Sequence, residues 1–109
     1  MKDDELFPEP CDANCPVRKT TEIIDGKWTT LIIRDLLSGK KRDSELLKSL
    51  EGISPKMLTA RLKHIEEKGI LSRELFPTVP PKIEYQLTKP GLKLKDVVLA
   101  MDKLGRNLR

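Results

Sequence analysis

The hydrophobic period of this chain changes at Gly69, and few folds accommodate such a change in so short a sequence. Upstream, Leu58, Leu62 and Ile65 recur at helical steps and make a narrow apolar stripe. Downstream, Ile70 to Phe76 and Lys82 to Leu87 alternate, as strands half-buried against a core do. Pro77-Thr78-Val79-Pro80-Pro81 lies between them and cannot continue a ladder, so the strands form a hairpin around a stiff loop. The helix ahead of the hairpin has a well-marked start. Ser54 is a good N-cap, Pro55 fills the first helical position, and Ile53 and Leu58 are placed as a hydrophobic staple. The spacing predicts a helix from Ser54 to Lys68, closed by Gly69.

Three more helices are expected ahead of it. Asn14 followed by Pro16 reads as a helix start, with Val17, Thr20, Ile23 and Ile24 on one side and Asp25-Gly26 at the end. Lys27 to Leu37 carries a broad apolar face of Trp28, Leu31, Ile32 and Leu36, which makes it the central core helix. Lys40-Lys41-Arg42 is a basic stretch, at most a short β-bridge. Asp43 then reads as the N-cap of a short helix, Ser44 to Leu50. After the hairpin, Thr88 caps one last helix with Pro90 in its first turn and Leu94, Val97, Val98, Met101, Leu104 and Leu108 along a seam. The expected class is mainly α with a small β-hairpin (α+β). Residues 1–12 read as a flexible arm and 13–109 as a single domain with helices at both ends.

The 109 residues carry a net charge of +4, which favours an anionic partner without identifying it. No apolar run approaches the ~18 residues that span a bilayer, and the acidic start Met1-Lys2-Asp3-Asp4-Glu5 leads into no signal-peptide core. A cytoplasmic protein without membrane contact is expected. There is no phosphate-cradling glycine loop, no Ser/His/Asp set and no paired carboxylates in a recognisable frame, so neither an enzyme nor a cofactor is expected.

Helix, short helix, turn, helix, hairpin is the order of a winged helix-turn-helix. There the second helix enters the major groove of double-stranded DNA, and residues near its N-terminus reach base edges. The outward side of the Ser54 helix offers Ser54, Lys56, Thr59, Ala60 and Lys63, with Arg61 on the flank as a phosphate contact. Ala60 is small enough to admit a close base or a thymine methyl. Arg42, and Arg73 and Lys82 in the hairpin, are the candidate backbone contacts. Taken alone, these cations describe the solvated side of an ordinary amphipathic helix better than a DNA surface; the hairpin directly after the helix and the net basic charge bring the two readings level. A winged helix that binds protein and never touches nucleic acid is the alternative function.

From Cys15 to Leu104 the sequence resembles the HxlR-type winged helix-turn-helix transcription regulators, relatives of the MarR type. The motifs are Cys15-Pro16-Val17, Gly26-Lys27-Trp28, Gly39-Lys40-Lys41-Arg42-Asp43-Ser44-Glu45-Leu46 and Gly52-Ile53-Ser54-Pro55-Lys56-Met57-Leu58-Thr59-Ala60-Arg61-Leu62. Glu67-Lys68-Gly69-Ile70-Leu71, Val79-Pro80-Pro81-Lys82-Ile83-Glu84-Tyr85-Gln86-Leu87-Thr88 and Gly91 complete the series. The resemblance implies a homodimer through the terminal helices, bound to a pseudo-palindromic operator, with repression as the expected direction of control. Val17, Ile24, Leu94, Val97, Val98, Met101 and Leu104 are the expected dimer residues, since their seam is too apolar for a free surface.

Two cysteines, Cys11 and Cys15, need their own argument, because a cytosolic chain does not rely on structural disulfides. The resemblance places Cys15 where some relatives sense oxidants or electrophiles. A helix N-terminus with Arg18 and Lys19 nearby would favour the thiolate, and Cys11 in the arm can resolve an oxidised Cys15. The other reading makes Cys15 a small packing residue. A small-molecule or oxidant effector is compatible with either. No metal site is expected, since the single histidine, His64, lies on the Ser54 helix as a surface or phosphate-side residue.

Overall fold

The computed structural model describes residues 6–108; the part of the expected arm before Leu6, and Arg109, lie outside them. The elements in chain order are α1 (Pro16–Ile23), α2 (Lys27–Leu36), β1 (Lys41–Arg42), α3 (Asp43–Ser49), α4 (Pro55–Glu67), β2 (Leu71–Phe76), β3 (Lys82–Leu87), α5 (Lys89–Leu92) and α6 (Lys95–Asn107). The fold is a winged helix-turn-helix, mainly helical with one small antiparallel sheet. Strand β3 is central, in the order β1-β3-β2, with Lys41 opposite Tyr85 and Leu71 opposite Leu87. The basic stretch therefore does form a strand, two residues long, and caps the free edge of the hairpin.

The core forms where α2, α3 and α4 meet the root of the sheet. Ile32, Ile33, Leu36, Leu46, Leu58, Leu62 and Ile65 are buried, and Leu71, Tyr85 and Leu87 close it from the sheet side. Asp35 is buried among them and joins two helices: its carboxylate accepts from the Ser49 hydroxyl at 2.6 Å and pairs with the exposed Arg34 guanidinium at 3.0 Å. A buried carboxylate without such partners would cost several kcal/mol, so this junction fixes how α3 sits on α2.

Several ends differ from expectation. Cys15, not Asn14, occupies the N-cap position of α1; Asn14 instead donates its backbone N–H to the Asp12 carboxylate at 2.9 Å, making a turn before the helix. Gly26, at φ 89°, stands at the N-cap of α2 rather than closing α1, which ends at Ile24. Arg42 takes the N-cap position of α3, and Asp43 is its first helical residue. The Arg42 backbone N–H donates to the Glu45 side chain at 2.9 Å, half of a capping box, and the Asp43 carboxylate accepts from Ser44 N–H at 2.8 Å from inside the first turn.

The single last helix expected from Thr88 is two helices, α5 and α6, with Lys93 and Leu94 between them. Thr88 caps α5, its hydroxyl accepting from Gly91 N–H at 3.2 Å and donating to the Gly69 carbonyl at 2.7 Å. A β-carbon at Gly91 would drive into the Ile70 carbonyl. That contact explains both the glycine and the bend, because α5 must lie on the start of β2 before α6 can leave.

The molecule measures 60 × 34 × 22 Å, with a radius of gyration of 16.2 Å, above the roughly 13 Å of a compact domain of about this length. Part of the excess comes from the N-terminal side, since α1 buries none of its eight residues. Among the described residues, no helix is long and apolar enough to cross a membrane, and no three potential metal ligands gather.

Candidate nucleic-acid interface

Helix α4 is positioned from three sides. Its stripe of Leu58, Leu62 and Ile65 is buried, with Ile65 fully so. At its start the Ser54 hydroxyl accepts from Met57 N–H at 3.1 Å. Ahead of that cap, the turn between α3 and α4 passes over the Trp28 ring, 3.7 Å from where a Gly52 β-carbon would stand, and Gly52 itself has φ 93°. A side chain at Gly52 would therefore meet both a strained backbone and the indole.

The outward face is as the sequence predicts. Ser54, Lys56, Thr59, Ala60 and Lys63 are exposed, and Arg61 is half-buried on the flank. Among the described residues, none of Lys56, Arg61 and Lys63 takes part in an ion pair. Met57 belongs to this face too, 37% exposed, with its sulfur 3.5 Å from the Arg61 Nε. Met57 is not among the residues that the sequence marks for this face. His64, expected as a surface or phosphate-side residue, is half-buried, and its Nε2 is buried with no hydrogen-bond partner among the described residues.

The order of charge along α4 runs against helix stability. A helix N-terminus favours acids and a C-terminus favours bases. Here Ser54 to Ile65 contains no acid, Lys56 stands in the first turn, and both acids, Glu66 and Glu67, stand at the far end. The free N–H groups and positive dipole end are thus left open to an outside anion, and the nearby cations add to that attraction.

The hairpin differs. Arg73 faces Glu66 of α4 at 3.5 Å, and Lys82 pairs with Glu84 at 3.7 Å while lying over the Phe76 ring at 4.8 Å. Glu74 and Glu84 stand directly opposite each other in the ladder. From Leu71 to Leu87 the basic residues are Arg73 and Lys82 and the acids Glu74 and Glu84, so the wing carries no net charge. Arg73 and Lys82, the candidate backbone contacts of the hairpin, thus both have partners within the chain. Arg42, exposed at the edge of the sheet, remains open.

The C-terminal seam divides. Leu94 and Val98 are each 7% exposed and fill this chain's own core, so they do not belong to a free face. Met101, Leu104 and Leu108 are exposed, and Val97 is half-buried beside them. Next to this stripe, α2 and α6 enclose a groove of about 580 Å³ lined by Leu31, Leu37, Leu99 and Met101 among others. At the other end Val17 is exposed, whereas Ile24 packs partly on the core.

Cys15 is half-exposed and Cys11 exposed, and both are free thiols. The Cys15 pKa lies below the usual thiol value. Arg18 N–H lowers it most, desolvation works against this, and the Cys11 thiol, Val17 N–H and the Arg18 charge add to the lowering. The Arg18 guanidinium also holds Cys11, donating to its carbonyl at 2.9 Å and approaching its sulfur at 3.7 Å. Arg18 alone of the two cations named for this role is shown acting on the thiols; Lys19 is not.

Comparison with known proteins agrees with this geometry. The HxlR-like helix-turn-helix family matches residues 23–109. An HTH-type transcriptional regulator of Synechocystis is 42% identical over 91 residues, covering 84% of this chain and 67% of its own. The crystal structure of a MarR-family transcriptional regulator from Porphyromonas gingivalis W83 superposes with a TM-score of 0.87 at 40% identity, covering 90% of this chain and 96% of that one. The redox regulator HypR in its oxidised form gives 0.81 at 40% identity, covering 87% and 98%. These relatives are regulators and not enzymes. The chain belongs to the HxlR-like helix-turn-helix family of transcriptional regulators.

Proposed function

We propose that this regulator binds a pseudo-palindromic operator in double-stranded DNA as a homodimer, in the cytoplasm, and represses transcription from it. The observation that carries the reading is the acid-free outward face of α4, where Lys56, Thr59, Ala60 and Lys63 lie exposed beside an open helix N-terminus. A protein-binding role would call for an apolar patch there, and Met57 is the only large apolar side chain on that face. The exposed Met101, Leu104 and Leu108, with Val97, support pairing of two copies through α6. Two-fold pairing would set the reading helices about 34 Å apart, one turn of DNA.

Retention on an immobilised random-sequence duplex, followed through a salt gradient, tests the DNA reading. The expected result is binding at low salt that falls steeply as salt rises. No retention at low salt ends it. Sedimentation at micromolar concentration is expected to show a dimer, which Leu104→Asp converts to a folded monomer.

The regulator is further proposed to respond to oxidants through Cys15, as the similarity to a redox regulator and the lowered thiol pKa support. A hydroperoxide would convert the Cys15 thiolate to a sulfenic acid, releasing the alcohol. The Cys11 thiol then displaces water to form a disulfide. Because the pKa is lowered, alkylation of Cys15 is expected to plateau at a lower pH than that of an ordinary thiol. Operator binding should change with hydroperoxide in the parent. A Cys15→Ser protein that responded equally would remove Cys15 from the sensing role.

A further inference from the structure

Glu66 and Arg73 are not explained by the proposed reading of DNA, although one lies on the reading helix and the other on the wing. Glu66 stands near the C-terminal end of α4, where the helix dipole disfavours an acid. Arg73 stands on β2 directly opposite Tyr85, on the strand face shared with Leu71, Ile83 and Leu87, which is the side turned toward α4. The Glu66 Oε2 to Arg73 Nε distance is 3.5 Å. Between helix and wing runs a cleft of about 310 Å³ lined by Thr59, Leu62, Lys63, Glu66, Arg73 and Tyr85. Thr59 and Lys63 of the reading face line this cleft together with the pair, and so does the buried Tyr85.

We propose that Arg73 is a positioning residue for DNA recognition: paired with Glu66 across the cleft, it sets the angle of the wing to the reading helix instead of contacting phosphate. The hairpin needs such a tie. Leu75 and Val79 are exposed; packing on the body runs from Leu71, Tyr85 and Leu87 to the half-buried Ile83, and β1 pairs with β3 as far as Glu84, all of it on or beside β3 except at Leu71. Beyond that packing, Glu66 is the one ion-pair partner that another element offers the wing among the described residues. Tyr85 is part of the same arrangement. Burial raises its pKa, the Asp43 charge adds to this, and the Arg73 guanidinium opposes it. Arg73 therefore faces the Glu66 carboxylate while standing opposite Tyr85 in the ladder.

The proposal rests on the DNA-binding reading for its consequence, while the tie itself can be observed without DNA. The experiment compares the parent, Glu66→Gln, Arg73→Gln and the exchanged pair Glu66→Arg with Arg73→Glu. Amide hydrogen exchange of β2 and β3 is followed in the free proteins. Affinity is then measured for a duplex obtained by binding selection from a random-sequence pool, and for random duplex, across a salt series.

Both single variants are expected to speed exchange in the outer half of the hairpin. They should cut the preference for the selected duplex about two- to fivefold, as fits a partly exposed pair, and leave the salt slope unchanged. The exchanged pair should restore exchange rates and preference together. The proposal is overturned if Arg73→Gln weakens selected and random duplex equally and lowers the salt slope by about one, the mark of a phosphate contact. Failure of the exchanged pair to restore the preference also overturns it. If the parent binds neither duplex at low salt, the DNA reading falls, and hydrogen exchange alone still decides whether the tie exists.

Discussion

The reading helix and the wing are neighbours with opposite habits of charge. On α4, Lys56, Arg61 and Lys63 have no ion-pair partner among the described residues and no acid on their stretch of helix. On the hairpin, Arg73 and Lys82 are matched by Glu66 and Glu84, and Lys82 is covered further by the Phe76 ring. Both regions have cations in the sequence, yet only one has them available. Counting basic residues overstates an interface; what matters is which of them would have to abandon an internal partner to meet a phosphate.

The comparison can be broken most severely at the stripe that holds α4 in place. Leu62→Ala removes a side chain only 3% exposed and is expected to cost about 2–5 kcal/mol of stability, read by chemical denaturation. A wing-side change of similar size, Leu75→Ala at 66% exposure, should cost under about 0.5 kcal/mol. Equal losses would mean that the hairpin is packed more firmly than described.

Next comes the reading surface. Lys56→Ala and Thr59→Ala are each expected to reduce discrimination between operator and random DNA by about 1–3 kcal/mol in competition binding. If both duplexes weakened alike, these residues would move from base reading to phosphate contact. Ser54→Ala sharpens the comparison in another way. It removes the acceptor for Met57 N–H and should lower stability by about 1 kcal/mol. Smallest of all, Lys82→Ala should change the salt slope of binding by much less than one, because Lys82 is already spent on Glu84. A full unit of slope would restore it as a phosphate contact.

Much of this fold is legible because local chemistry marks it. The Ser54-Pro55 start, the Leu58/Leu62/Ile65 stripe and the change to alternation after Gly69 each have a short-range cause, and each appears where the sequence places it. The misplacements come from tertiary demands. Asp43 looks like a cap, but Arg42 is held in the strand pairing opposite Glu84, which sets where α3 begins. The seam from Leu94 to Leu108 reads as one face, but the bend after α5 turns Leu94 and Val98 inward and leaves Met101, Leu104 and Leu108 outside. The burial of Asp35 and the pairing of Arg73 with Glu66 depend on residues 14 and 7 positions away, and no local pattern announces such partners.

The crowding of Gly91 onto the Ile70 carbonyl carries a mechanical consequence. Gly69 closes the reading helix, Leu71 opens the first wing strand, and Thr88 and Gly91 seat the base of the terminal helices on the residues between. Reading helix, first wing strand and α5 thus meet at one point with no room for even a methyl group. A displacement of α5 would therefore press first on the common origin of reading helix and wing.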